Sequence, residues 1–125
     1  MASSAEPPVD TPPVRRFRDP TVQPQAATLR ELRAKIDAID QQVVELFAAR
    51  ALCVRDATRF KRNSFEVNSP ERQAQVFARV RQLATGHAGQ FAALPDVVEA
   101  AYRVLVAGFI AAEERFFAET EPIDA

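Results

Sequence analysis

Four cations and one acid sit where the periodicity of the chain asks for apolar side chains. Arg50 lies four residues after Leu46 and three before Cys53, inside a series whose other members are apolar. A guanidinium on such a seam needs an anionic partner, because an uncompensated buried charge is strongly destabilising. Lys61 follows eleven residues later. At about 100° per residue it returns to within roughly 20° of the same helical face, about 16 Å further along the axis. Two long cationic side chains leaning toward each other across that distance leave a gap the size of a small molecule. Arg33 precedes Arg50 by seventeen residues, about 25 Å along a helix and roughly 100° around it. It cannot share a small ligand with Arg50 of its own chain, but in an antiparallel dimer it would reach the partner's site. Arg72, four residues before Val76, faces the same side of a later helix. Glu113 has Phe109, Ile110, Phe116 and Phe117 as its helical neighbours. Desolvation there should raise the pKa of its carboxyl unless a cation compensates. The plain reading is one buried Arg50–Glu113 ion pair with the other charges solvated. The sharper reading is a cationic clamp for a small dianion.

The elements that must hold these residues are helical. Thr28 and Glu31 form a Thr-x-x-Glu capping box, followed by Leu29, Leu32, Ile36, Ile39, Val43 and Leu46 at alternating spacings of three and four. With no Pro or Gly between residues 28 and 62, the pattern predicts one helix of about 34 residues, roughly 50 Å long. A domain of about 100 residues has a radius of gyration near 13 Å, so the chain that follows cannot cover such a seam. An intertwined helical homodimer is expected. Residues 63–68 read as a loop. Ser69, Pro70 and Glu71 then open a second helix whose core face is Val76, Val80 and Leu83. Gly86 and Gly89 break the pattern, and Pro95 and Asp96 open a third helix with a stripe through Val98, Ala101, Tyr102, Leu105, Phe109, Ala112 and Phe116. The expected fold is all-α: a three-helix protomer with one long N-terminal helix.

Composition narrows the classes of function. Among 125 residues, 16 Lys+Arg nearly balance 17 Asp+Glu, which argues against a nucleic-acid binder. One Cys and one His argue against a disulfide framework and against cysteine-built or histidine-rich metal sites. No run of apolar residues reaches the roughly 18 that a membrane span needs, and the start of the chain lacks the apolar core of a signal peptide. A cytoplasmic location is expected. Residues 1–27 hold six of the nine prolines and few large apolar side chains, so they are expected to be a disordered tail. The helical domain then spans 28–119, with a short tail at 120–125.

The run Leu32-Arg33-x-x-Ile36-Asp37-x-Ile39-Asp40, then Leu46-x-x-x-Arg50, Phe60-Lys61 and Pro70-Glu71-Arg72 resembles the all-helical chorismate mutase family, which also includes isochorismate-pyruvate lyases. The resemblance covers about residues 28–119. It implies an intertwined dimer with two equivalent sites, each taking the counterpart of Arg33 from the partner chain, and no metal or cofactor. It implies the pericyclic rearrangement of chorismate to prephenate, which serves aromatic amino-acid biosynthesis. The guanidinium groups of Arg33 and Arg50 would grip the two carboxylates of chorismate. Lys61 would donate to the ether oxygen as negative charge grows on it, and Glu113 would approach from the other side. Arg72 and Gln73 would bind substrate. Two positions depart from the common pattern. Many members carry Gln where Glu113 stands, so Glu113 can donate only when protonated; Glu114 is its fallback across an irregular 85–95 loop. Many members carry Glu, contacting the ring hydroxyl, where Gln73 stands. The rearrangement needs no nucleophile, so Cys53 reads as seam packing and His87 as an exposed loop residue.

The Arg59-Phe60-Lys61 triplet and the short loop to Pro70 look more like the lyase branch, which yields salicylate and pyruvate. The mutase is the favoured reading and the lyase its alternative. A non-catalytic helical dimer is the alternative of another class, and it would pair the seam cations with acids of the partner chain. The long uncovered seam makes a definite demand on assembly. Light scattering at low micromolar concentration should show a dimer, and a folded monomer there would overturn the intertwined architecture.

Overall fold

The computed structural model describes residues 6–123, and their regular structure is entirely helical. Readings that fall on residues 1–5 and 124–125 lie outside the described residues. Three α-helices follow in order: α1 (Leu29–Ala57), α2 (Pro70–Thr85) and α3 (Leu94–Ala118), with single 3-10 turns at Thr58–Phe60 and Ser64–Glu66 between the first two. The chain divides into two compact units, one ending at Phe47 and one beginning at Ala48.

In the N-terminal unit, α1 starts as its sequence demands. Thr28 Oγ1 accepts from Glu31 N at 3.2 Å, and the Glu31 carboxylate accepts from Ala27 N at 3.2 Å. These are the two reciprocal bonds of a capping box, the second displaced by one residue. The described residues before the helix, from Glu6 onward, carry no helix or strand. Its carboxylates meet the first turns of α1: Asp10 makes a two-pronged contact with Arg30 at 2.6 and 2.8 Å, and Glu6 pairs with Arg33. Val9 O also accepts from Arg30 N at 3.0 Å.

In the C-terminal unit, α1 ends sooner than the expected 28–62. Its last residue is Ala57, and Lys61 is extended, with φ −88° and ψ 133°. The cause is local. Thr58 is 1% exposed, and its hydroxyl donates to Arg55 O at 2.7 Å. Such a side-chain bond competes with the backbone ladder, and the β-branched residue gives up little by leaving it. The 63–68 loop is tied internally. Asn63 Oδ1 accepts from Phe65 N and Glu66 N at 3.1 and 3.3 Å, Arg62 pairs with Glu66 at 2.7 Å, and Val67 is buried.

Helix α2 opens on Ser69, whose Oγ accepts from Arg72 N at 3.3 Å, with Pro70 in the first turn. It packs along α3. The buried side chains at this contact are Phe77 and Ala84 of α2 and Pro95 and Val106 of α3. This corrects the expected face of α2: Val76 and Val80 are half-buried, but Leu83 is 55% exposed and Phe77 takes the central place. The α3 stripe holds at Val98, Tyr102, Leu105, Phe109, Ala112 and Phe116, while Ala101 is exposed. Arg103 lies over the Phe77 ring at 4.5 Å and pairs with Glu99 at 3.1 Å; Arg81 of α2 pairs with Asp96 of α3 at 2.6 Å.

Candidate active site

A cavity of about 330 Å³ lies within the C-terminal unit. Each element of that unit has a sequence reason to face it. From α1 come Arg50, Cys53, Val54 and Ala57, the three-four-seven spacing of one helical face. From α2 come Arg72, Gln73 and Val76, one turn apart and set by the Ser69 cap. From α3 come Val106, Phe109, Ile110 and Glu113. Lys61 and Val67 enter from the connecting loop.

Five of the six residues singled out by sequence therefore meet around one space: Arg50, Lys61, Arg72, Gln73 and Glu113. Arg33 does not line this cavity. It belongs to the N-terminal unit and is paired with Glu6. Glu113, not its neighbour Glu114, lines the cavity, and Glu114 is exposed. Lys61 arrives by a different route from the one its spacing suggests. It stands beyond the end of α1, so the return of eleven helical residues to one face does not apply, and an extended backbone carries it in.

The cations of this unit divide into those that meet a carboxylate and those that do not. Arg55, Arg59, Arg62, Arg81 and Arg103 each meet a carboxylate. Arg50, Lys61 and Arg72 form no ion pair among the described residues; an Arg50–Glu113 pair, the plain reading, is not made. Arg50 is held instead by ring faces, 5.2 Å from the centroid of Phe109 and 5.8 Å from that of Tyr102. The Arg72 guanidinium donates to Gln75 Oε1 at 3.5 Å. Burial raises the pKa of the Glu113 carboxyl above the ordinary carboxylate range; Lys61 and then Arg50 pull it down without cancelling that cost. The Gln73 amide donates to Asn68 Oδ1 at 2.6 Å. Among the described residues no group of three or more His, Cys, Asp or Glu is placed to hold a metal ion, and no helix is long and apolar enough to cross a membrane. The arrangement can bind an anion with at least two negatively charged groups, and it offers one carboxyl able to hold its proton.

The family described as chorismate mutase type II matches residues 32–114. That is well over half of the chain, and it contains all six residues named above. The chain belongs to the chorismate mutase type II family. A chorismate mutase of Methanocaldococcus jannaschii is 35% identical over 60 residues. That match takes in 47% of this chain and 61% of the relative's length.

Some residues in and beside this mutase-family cavity carry only weak signals in the sequence. Val67 is 3% exposed and forms part of its wall, yet an apolar residue in a short polar loop was the only signal of it. Asn68 was read merely as loop, although a carboxamide beside an N-cap is a recognisable bonding position. Cys53 lines the cavity and is exposed.

The raised pKa of Glu113 has a consequence for stability. The folded state holds this proton more tightly than the unfolded chain does. The associated stability is present below the unfolded-state pKa and is lost as pH rises through the folded-state value. Glu113→Gln keeps the neutral form at all pH. Its melting temperature relative to wild type should therefore rise as pH climbs from the ordinary carboxylate range to neutrality. A difference that does not change with pH would show that Glu113 is not desolvated.

Proposed function

We propose that this chain is a chorismate mutase, a cytoplasmic homodimer that rearranges chorismate to prephenate for aromatic amino-acid biosynthesis. One observation carries the reading: Arg50, Lys61 and Arg72 converge on a single cavity without a carboxylate to neutralise them, beside a carboxyl whose pKa is raised. An unpaired half-buried guanidinium is costly, and a dianionic substrate would offset that cost when bound.

The chemistry follows from the groups present. Arg50 grips one substrate carboxylate through its guanidinium fork, and Arg33 of the second protomer grips the other. Holding both ends brings the enolpyruvyl arm over the ring, so much of the entropic barrier is met on binding. As the ether C–O bond breaks and the new C–C bond forms, negative charge grows on the ether oxygen. Lys61 donates to that oxygen from one side and protonated Glu113 from the other, both set in place before the reaction. Arg72 and Gln73 hold the ring end of the substrate.

Two features support the dimer. Ile36, Ile39, Val43 and Leu46 of the α1 seam are 38–69% exposed in the single protomer, a long apolar stripe that a second copy would cover. Among the described residues Arg33 pairs with Glu6, the two side chains being 45% and 67% exposed. Such pairs contribute about 0–1 kcal/mol, so a substrate carboxylate can displace Glu6.

Assays with chorismate and with isochorismate decide between rearrangement and the lyase reaction, since the same clamp suits both dicarboxylates. A dicarboxylate transition-state analogue should raise the melting temperature of an enzyme; no shift and no turnover of either substrate would leave a non-catalytic helical dimer. Arg50→Ala and Arg33→Ala should each lower kcat/KM by about 100-fold or more. After subunit exchange of the two variants, half of the dimers are mixed and each mixed dimer has one intact site, so about a quarter of wild-type activity should return. Verified exchange without recovery would show that Arg33 does not act across the dimer. Turnover should also fall as pH rises through the Glu113 pKa in the complex, because only the neutral carboxyl donates. Glu113→Gln should remove that alkaline decline while keeping activity, and a folded but inactive Glu113→Gln would exclude Glu113 as the second donor.

A further inference from the structure

A carboxamide has two ends of opposite character: Oε1 accepts and Nε2 donates. Which end a cavity-lining glutamine offers to a ligand depends on what holds the other. Gln73 lines the cavity, and its Nε2 donates to Asn68 Oδ1 at 2.6 Å. These two residues stand on either side of the α2 cap. Ser69 O accepts from Gln73 N at 3.0 Å and Ser69 Oγ from Arg72 N at 3.3 Å. The backbone of Gln73 is thus fixed by the first turn, and its donor end is tied to the residue that precedes the cap. Asn68 is exposed and does not line the cavity, so any influence on a ligand passes through Gln73.

We propose that Asn68 is a positioning residue that turns the Oε1 of Gln73 toward the ligand, so that this corner of the cavity selects a hydroxyl that donates over a group that only accepts. The proposal rests on the reading in which residue 73 meets the ring hydroxyl of chorismate. It explains how an amide can serve where an acceptor-only carboxylate would need no such help. Without Asn68 the amide can rotate and present Nε2 instead, and discrimination is lost.

The test uses the full-length protein with two substrates, chorismate and its derivative methylated on the ring hydroxyl, which accepts a hydrogen bond but cannot donate one. Asn68→Leu, with Asn68→Ala as a second truncation, should lower kcat/KM for chorismate by about two- to tenfold. The loss should lie mainly in KM, and the preference for chorismate over the methyl ether should narrow. Asn68→Asp supplies an acceptor that cannot turn into a donor, so it should restore both the rate and the preference. In a Gln73→Leu background, Asn68→Leu should change nothing further. If Gln73→Leu erases the preference while both Asn68 truncations keep it, Asn68 does not orient Gln73 and the proposal is overturned. If Gln73→Leu itself leaves the preference intact, residue 73 does not meet the hydroxyl, and the reading beneath the proposal fails as well.

Discussion

The guanidinium of Arg50 lies over the rings of Phe109 and Tyr102, 5.2 and 5.8 Å from their centroids, and no carboxylate reaches it among the described residues. A carboxylate would satisfy the cation more fully, but it would also occupy the fork with which arginine grips planar anions. The π-faces stabilise the charge by about 0.5–2 kcal/mol and leave its hydrogen-bond donors free. This contact sets demands on the rest of the C-terminal unit. Two aromatic residues one helical face apart must project from α3 toward α1, and α3 must be held against α2 so that the rings do not swing away. Phe77, Ala84, Pro95 and Val106 meet that second demand as the buried contact between α2 and α3.

Glu113 is governed by the same restraint. It shares a cavity with Arg50 and Lys61, yet forms an ion pair with neither. Had it closed onto Arg50, its carboxyl would be held charged and the cation neutralised. Kept apart, it feels burial more than it feels the cations, and its proton is retained to higher pH. One arrangement therefore leaves the cations unneutralised and lets the acid keep its proton to higher pH than an ordinary carboxyl. Elsewhere in this unit, Arg81 and Arg103 use Asp96 and Glu99 to tie α2 to α3 and to brace α3 itself.

Helix α1 serves two purposes along its length. After Ala48 its polar and small side chains, Arg50, Cys53 and Ala57, line the cavity. From Ile36 to Phe47 its large apolar side chains remain open to water, and the preceding segment meets the earlier turns, at Arg30, Arg33 and Lys35. No residue of α1 is fully buried in the single chain. The apolar stripe of this 29-residue helix, open to water from Ile36 to Phe47, is the physical basis for proposing a second copy.

Sequence alone determined what depends on neighbours in the chain. The Thr28–Glu31 box, the Ser69-Pro70 start of α2, the Pro95 start of α3 and the anomaly of Glu113 all follow from propensity, capping and periods of three and four. Five of the six candidate site residues were legible because a charge on an apolar stripe contradicts the local pattern, and Gln73 was legible only through the family resemblance. Only the tertiary structure decided the rest. Where α1 stops depends on Thr58 becoming buried and bonding back to Arg55, and burial is not a property of a local sequence. That Lys61 enters the cavity from an extended segment, that Phe77 and not Leu83 fills the α2–α3 contact, and that Arg50 rests on rings and not on Glu113 all turn on how separate helices are rotated against one another. Periodicity marks the faces a helix could bury. Packing between helices selects which of them is buried, because it alone fixes the distances on which van der Waals and electrostatic contacts depend.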